Sequence, residues 1–333
     1  MRSALAATFL LTLMALGCSS ATAQTTTVPA KAAGSANWTA PRTPDGHPNL
    51  EGFWTNAGVT PLERPKDLGS KEFYTAEEAA AHDKHELNDR TSWDRLGNQA
   101  TVHYDMTQFG LDVSKVKVAL SLRTSLIVGP EGRIPPLTEE ARKRRAEQTV
   151  VRRGHEFDSA QDRPLQERCI VWGIEGPPML PAAYNSNLEI VEGAGYVSIL
   201  QEMIHDARMI PTDGRPHLPS NIRQWLGDSR GHWEGDTLVV DTTNFTNRTA
   251  FYGSTESLHV VERFRLIDPN TILYQFTVED PATWTKPWSA ELPLARIDGP
   301  IYEYACHEGN EGMPNTLSGA RAAEAAAAQK GPK

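Results

Sequence analysis

Several ionisable side chains in the C-terminal half keep apolar company, and those are where chemistry is first expected. Between Tyr196 and Asp206 one parity carries Val197, Ile199, Gln201, Met203 and His205, and the other carries Ser198, Leu200, Glu202, Ile204 and Asp206. A strand here would place His205 on a mostly apolar face. An imidazole so placed, with Asp206 and Arg208 close in sequence, has the chemistry of a general acid or base. A buried histidine hydrogen-bonded for structure is the equal alternative. Glu262 shares its parity with Leu258, Val260, Phe264 and Leu266. A carboxylate in that company must meet a cation, a metal or a proton donor. Tyr274 lies with Ile272, Phe276 and Val278 on the following run, whereas Glu279 lies with Gln275 and Thr277 and can face water. His205, Glu262 and Tyr274, with Asp206 beside them, are therefore the expected acid–base group.

Other residues qualify by type more than by pattern. His205, Asp206, His217, His259 and His307 are metal-ligand types, but the chain has no His-x-His, no HExxH and no paired-cysteine motif. A metal ion is thus a secondary expectation, and structural or surface roles suit most of these histidines. Without a glycine-rich phosphate loop, a nucleotide fingerprint or a G-x-S-x-G elbow, no organic cofactor is expected. Trp225, Trp233, Trp284 and Trp288 can stack on a sugar or an aromatic ring, although core packing accounts for most such residues. With Arg208 and Glu279 they form the expected substrate-contact set. Arg208, Arg215, Arg223 and Arg230 lie near Asp206, Asp213 and Asp228, and ion pairing within the protein is the first expectation for them.

These residues must be held by a framework, and the chain proposes one. Arg2, the apolar stretch 4–17 and Ala21-Thr22-Ala23 before Gln24 have the order of a secretory signal, so residues 1–23 are expected to be removed on export to the periplasm. That stretch is shorter than the roughly 20 residues a transmembrane helix needs. Cys18 after Gly17 makes a lipid anchor the alternative. Two cysteines then remain, Cys169 and Cys306, and an oxidising compartment makes a disulfide the expectation. The alternative is a free nucleophile or metal ligand, since His307 follows Cys306. A net charge of −9 argues against nucleic acid and anionic membrane as partners and leaves a small molecule. The basic run 142–145 follows Thr138-Glu139-Glu140, an N-cap with an acidic first turn, and reads as the solvated face of a helix.

Residues 24–45 read as a flexible lead-in, 46–318 as one domain with a helical insertion at about 75–155, and 319–333 as a tail. Leu50 to Trp54 reads as a first strand, Thr75 and Glu78 as a capping box, and 125–128 as a short strand. From residue 184 strand follows strand: 188–192, 196–206, 237–243, 258–267, 271–279 and 289–296. Turn residues such as Glu234-Gly235-Asp236 and Asp268-Pro269-Asn270 separate them. A meander of at least six strands without intervening helices favours a mainly β fold closing into an antiparallel barrel, because closure removes exposed edges.

Gly52-x-Trp54 on a first strand, followed by a meander containing Trp233 to Asp241, resembles the lipocalin-like (calycin) barrels. Residues 163–318 also resemble a widespread set of secreted bacterial proteins. The matching strings are 202–208, 213–217, 222–230, 277–288 and 302–309. The second resemblance implies secretion but no particular activity, and the first implies a ligand-carrying barrel. The functional expectation is a periplasmic enzyme using side-chain acid–base chemistry, a lyase, isomerase or hydrolase. Its substrate would be a small, partly apolar molecule such as a glycoside or an aromatic compound. A non-catalytic carrier of a lipophilic ligand and an envelope interaction protein are the alternatives.

Overall fold

The computed structural model describes residues 26–28, 38–93, 117–173, 176–182, 184–248 and 251–329. The expected signal and Cys18 lie outside these residues. Nine strands form one antiparallel sheet: β1 (Gly52–Thr55), β2 (Asn187–Gly193), β3 (Tyr196–Gln201), β4 (Ala207–Pro211), β5 (Asp228–Glu234), β6 (Thr237–Thr243), β7 (His259–Asp268), β8 (Thr271–Glu279) and β9 (Trp288–Arg296). Their order across the sheet is β4-β3-β2-β1-β9-β8-β7-β6-β5. Strands adjacent in the chain pair with each other except β4 and β5, β1 pairs with β9, and the sheet curls into a nearly closed barrel whose seam lies between β4 and β5. At the seam the strands meet through side chains. A Cβ on Gly231 of β5 would lie only 3.0 Å from the Cγ2 atoms of Ile210 and Thr212, so the missing side chain permits the approach.

Local chemistry explains the hairpins. Ala194-Gly195 joins β2 to β3, Gly235-Asp236 joins β5 to β6 and Pro269-Asn270 joins β7 to β8, all of them two-residue connections. Alternation then fixes which side chains fill the barrel: Leu188 and Ile190, Val197 and Ile199, Leu238 and Val240, Val260 and Phe264, Tyr274 and Phe276, and Leu292 and Leu294 are all buried. Trp54 plugs the start of β1, its Nε1 donating to the Leu50 carbonyl at 3.0 Å. The Arg296 guanidinium lies 4.1 Å from the Trp54 ring centre and passes over the bare backbone of Gly52.

The helices lie outside the barrel wall. α1 (Ala76–Trp93) starts at the expected capping box, with Thr75 N donating to Glu78 Oε2 at 2.8 Å and Glu78 N donating to Thr75 Oγ1 at 3.2 Å. α2 (Glu139–Arg152) starts at Thr138, whose hydroxyl accepts from Ala141 N at 3.0 Å. α3 (Gly312–Gln329) occupies most of what reads as a tail, and buries none of its side chains. Cys169 and Cys306 are joined by a disulfide that ties the end of the insertion to the segment before α3. No helix among the described residues is long and apolar enough to cross a membrane.

Three local expectations change. The run 196–206 is not one strand: the chain reverses at 202–206, where Ile204 and His205 adopt φ of 58° and 50°, and β3 pairs back onto β4. Residues 125–128 contribute one bridge, Ile127 to Ala290, covering the end of β9 that β1 does not reach. Part of the expected lead-in, Trp38 and Ala40, packs against the core.

Candidate functional site

Two polar clusters stand out, one inside the barrel and one on its wall. Inside, alternation turns Arg208 of β4, Glu262 of β7 and Tyr274 of β8 to the same centre. Arg208 grips Glu262 with both terminal nitrogens, Nη1 to Oε2 at 2.5 Å and Nη2 to Oε1 at 3.1 Å. Tyr274 donates its hydroxyl to Glu262 Oε1 at 2.8 Å and accepts from Met179 N at 2.9 Å. Glu262 and Tyr274 have no exposed surface and Arg208 retains 8 %. Burial, followed by the charge of Glu262, holds the Tyr274 phenol well above its ordinary pKa. Burial works against the Arg208 cation, yet the adjacent carboxylate outweighs it and the guanidinium pKa rises. Both oxygens of Glu262 are occupied, so this cluster is the satisfied polar centre of a packed core.

His205 does not join it. The reversal at 202–206 breaks the parity on which that grouping rests, and the imidazole is exposed at the turn with Nδ1 3.0 Å from the Tyr304 carbonyl oxygen. Asp206 is half-buried beside it, and burial raises its carboxyl pKa. The tryptophans separate as well. Trp284 and Trp288 are enclosed in the core, packed edge to face with ring centres 5.7 Å apart, and offer a substrate little surface. Trp233 stacks on His47 at 4.8 Å, and Trp225 lies under the Arg248 guanidinium at 4.9 Å. Arg208, expected at a substrate, is consumed by Glu262. His307 is exposed beyond the disulfide.

On the outer wall the opposite parity of β5, β6 and β7 brings out Asp228, Arg230, Asp241 and His259, and the connection 212–227 lays His217 across them. Asp228 fixes that connection: its Oδ2 accepts from Leu218 N at 2.9 Å and meets His217 Nδ1 at 2.8 Å. Arg230 neutralises the other oxygen at 2.7 Å and donates to the Pro216 carbonyl at 2.9 Å. The far nitrogen of His217 meets Asp241 Oδ1 at 2.9 Å, and the second oxygen of Asp241 meets His259 Nε2 at 2.7 Å. One carboxylate therefore orients two imidazoles. His259 and Asp241 keep 35 % and 37 % of their side-chain surface, so solvent and small molecules reach them. Burial pushes Asp241 up, but hydrogen bonds from His259 and His217 outweigh it and the carboxyl titrates below its ordinary range. The hydrogen bond to Asp241 raises His259. Exposed Glu279 lies directly across from His259 in the β7–β8 register.

The sequence marks His217 and His259 only as scattered ligand types and Asp228 only as a partner for a nearby arginine, which Arg230 is, and it gives Asp241 no role. The missing signal is tertiary, because strand parity alone does not tell which outward faces a long connection will cover. Among the described residues no group of three or more His, Cys, Asp and Glu is arranged to hold a metal ion. Comparison with protein-family models, with curated proteins and with solved structures finds no match to this chain.

Proposed function

We propose that the protein is a periplasmic enzyme working by side-chain acid–base chemistry, a lyase, isomerase or hydrolase, on a small, partly apolar molecule such as a glycoside or an aromatic compound. The observation that carries this reading is Asp241 holding His259 through Nε2 at 2.7 Å. A carboxylate on one nitrogen fixes the tautomer, raises the basicity of the ring and leaves the lone pair on Nδ1, which has no partner among the described residues. In this reading His259 takes a proton from the substrate and returns it, and Asp241 balances the imidazolium that forms. His217, flanked by carboxylates at both nitrogens, is a positioning residue for Asp241. Glu279 offers a second polar contact on the substrate side. The disulfide supports an oxidising compartment.

The test is a turnover screen over glycosides and aromatic esters, ethers and ketones, with wild type beside His259→Ala and Asp241→Asn. Loss of about 10²- to 10⁴-fold is expected in His259→Ala. Equal turnover by all three proteins eliminates the assignment.

A carrier function, which the likeness to lipocalin-like barrels implies, has one observation in its favour: a barrel interior that is largely apolar around the Arg208–Glu262–Tyr274 centre. A lipophilic dye that binds stoichiometrically and is displaced without turnover would select it.

A further inference from the structure

A cavity of about 820 Å³ opens beside the C-terminal end of α2, between that helix, the loop running to Gly173 and Arg248. It shares no residue with the cluster around Asp241. Arg152, Arg163, Arg168 and Arg248 all line it. Arg163 is spent on Glu167, with contacts of 2.9 and 3.0 Å. The other three have no carboxylate partner among the described residues: Arg152 makes one long contact, 3.4 Å, to the Asp162 carbonyl, Arg248 lies over Trp225, 4.9 Å from its ring centre, and the side chain of Arg168 makes no hydrogen bond. Two acids line the cavity as well: Asp158 meets His155, another lining residue, at 2.7 Å, and Asp162 accepts from the Ser159 hydroxyl at 2.6 Å.

Four arginines at one concavity outnumber its two acids, and three of the guanidinium groups are not directly paired with a carboxylate, so the site favours an anion; a planar guanidinium fits the two oxygens of a carboxylate or phosphate. Part of the remaining wall is apolar, beside the polar side chains of His155, Gln161 and Gln166. Leu165 and Val171 line the cavity, and Val151 stands 72 % exposed at its edge. A free inorganic ion leaves that surface wet, whereas a molecule with an anionic head and an apolar body covers it. We infer that this cavity binds a small organic anion, its carboxylate or phosphate head held by Arg152, Arg168 and Arg248 and its apolar body against Val151, Leu165 and Val171. The disulfide at Cys169, next to Arg168, pins the loop that carries the site.

Calorimetric titration of the full chain with benzoate, phenyl phosphate, inorganic phosphate and uncharged benzyl alcohol tests this. Saturable binding of benzoate or phenyl phosphate is expected, and the tighter of the two identifies the head group. Benzyl alcohol should bind at least about tenfold more weakly, and Arg168→Ala and Arg248→Ala should each weaken the organic anion about tenfold or more. Arg263→Ala, which removes a guanidinium paired with Glu234 on the barrel wall, should leave binding unchanged. The circular dichroism spectrum of each variant, matched to wild type, shows that the fold is kept. The inference is overturned if neither organic anion saturates, if inorganic phosphate binds as tightly as phenyl phosphate, or if both cavity variants bind like wild type. Because none of these readouts requires turnover, their failure is distinguishable from failure of the acid–base assignment.

Discussion

Replacing Arg208 by leucine isolates the energetics of the barrel interior. The substitution leaves Glu262, with no exposed surface, beside Tyr274 and without its cation. Breaking a buried pair from one side costs about 3–5 kcal/mol, because the surviving charge is neither solvated nor compensated. The core accepts that carboxyl only as the neutral acid, so the folded variant binds a proton that the unfolded chain has released. Its stability is then greatest in acid and falls by about 1.4 kcal/mol for each unit of rising pH above the ordinary carboxyl range. Urea denaturation at pH 5 and pH 7 should show a defect about 2–3 kcal/mol larger at pH 7. The double variant Arg208→Leu, Glu262→Leu should recover most of the loss and show no such pH dependence, since apolar residues of similar volume replace buried pairs at little cost. A single variant within 1 kcal/mol of wild type at both pH values, or a defect independent of pH, would refute this account of the core.

Tyr274→Phe removes a donor from Glu262 and the acceptor of Met179 N, and should lower stability by about 1–3 kcal/mol in the same denaturation assay. Burial lifts the Glu192 carboxyl to about 7 from 4.5, although its oxygen accepts from Leu50 N. The neutral form is favoured in the folded state, so its contribution is complete below pH 4.5 and is lost as pH rises through about 7. Glu192→Gln should therefore stabilise the protein at pH 8, by about 1–2 kcal/mol after allowance for partial exposure, and change little at pH 4. Gly231→Val drives a branched side chain into Ile210 and Thr212 and should cost about 1–3 kcal/mol, read as a lower melting temperature. Reduction of the Cys169–Cys306 bridge should cost about 2–4 kcal/mol, measured by unfolding with and without reductant.

Strand alternation made part of the interior legible. β7 and β8 run unbroken for ten and nine residues, so parity places Glu262 and Tyr274 on the inner face without knowledge of the partner strands. It fails at His205 because the reversal uses positive φ at Ile204 and His205, where neither glycine, proline nor asparagine marks a turn. The same miss hides β4, and with it the pairing of Arg208 with Glu262. β5 goes unread because Asp228, Arg230, His232 and Glu234 all face outward, so the strand looks polar. The cluster at Asp241 depends on a long connection returning over that face, and such a contact leaves no periodic trace in the chain.

A ring left unlaced at one position has consequences beyond its own stability. Between β4 and β5 no ladder of backbone hydrogen bonds forms, so each strand turns a row of amide and carbonyl groups toward a narrow slot. An extended peptide, or the matching strand of another copy, needs only that slot to widen in order to dock. Ile210 and Thr212 seated against bare Gly231 keep it shut, and a lapse there would recruit neighbours into chain-to-chain sheets at high concentration.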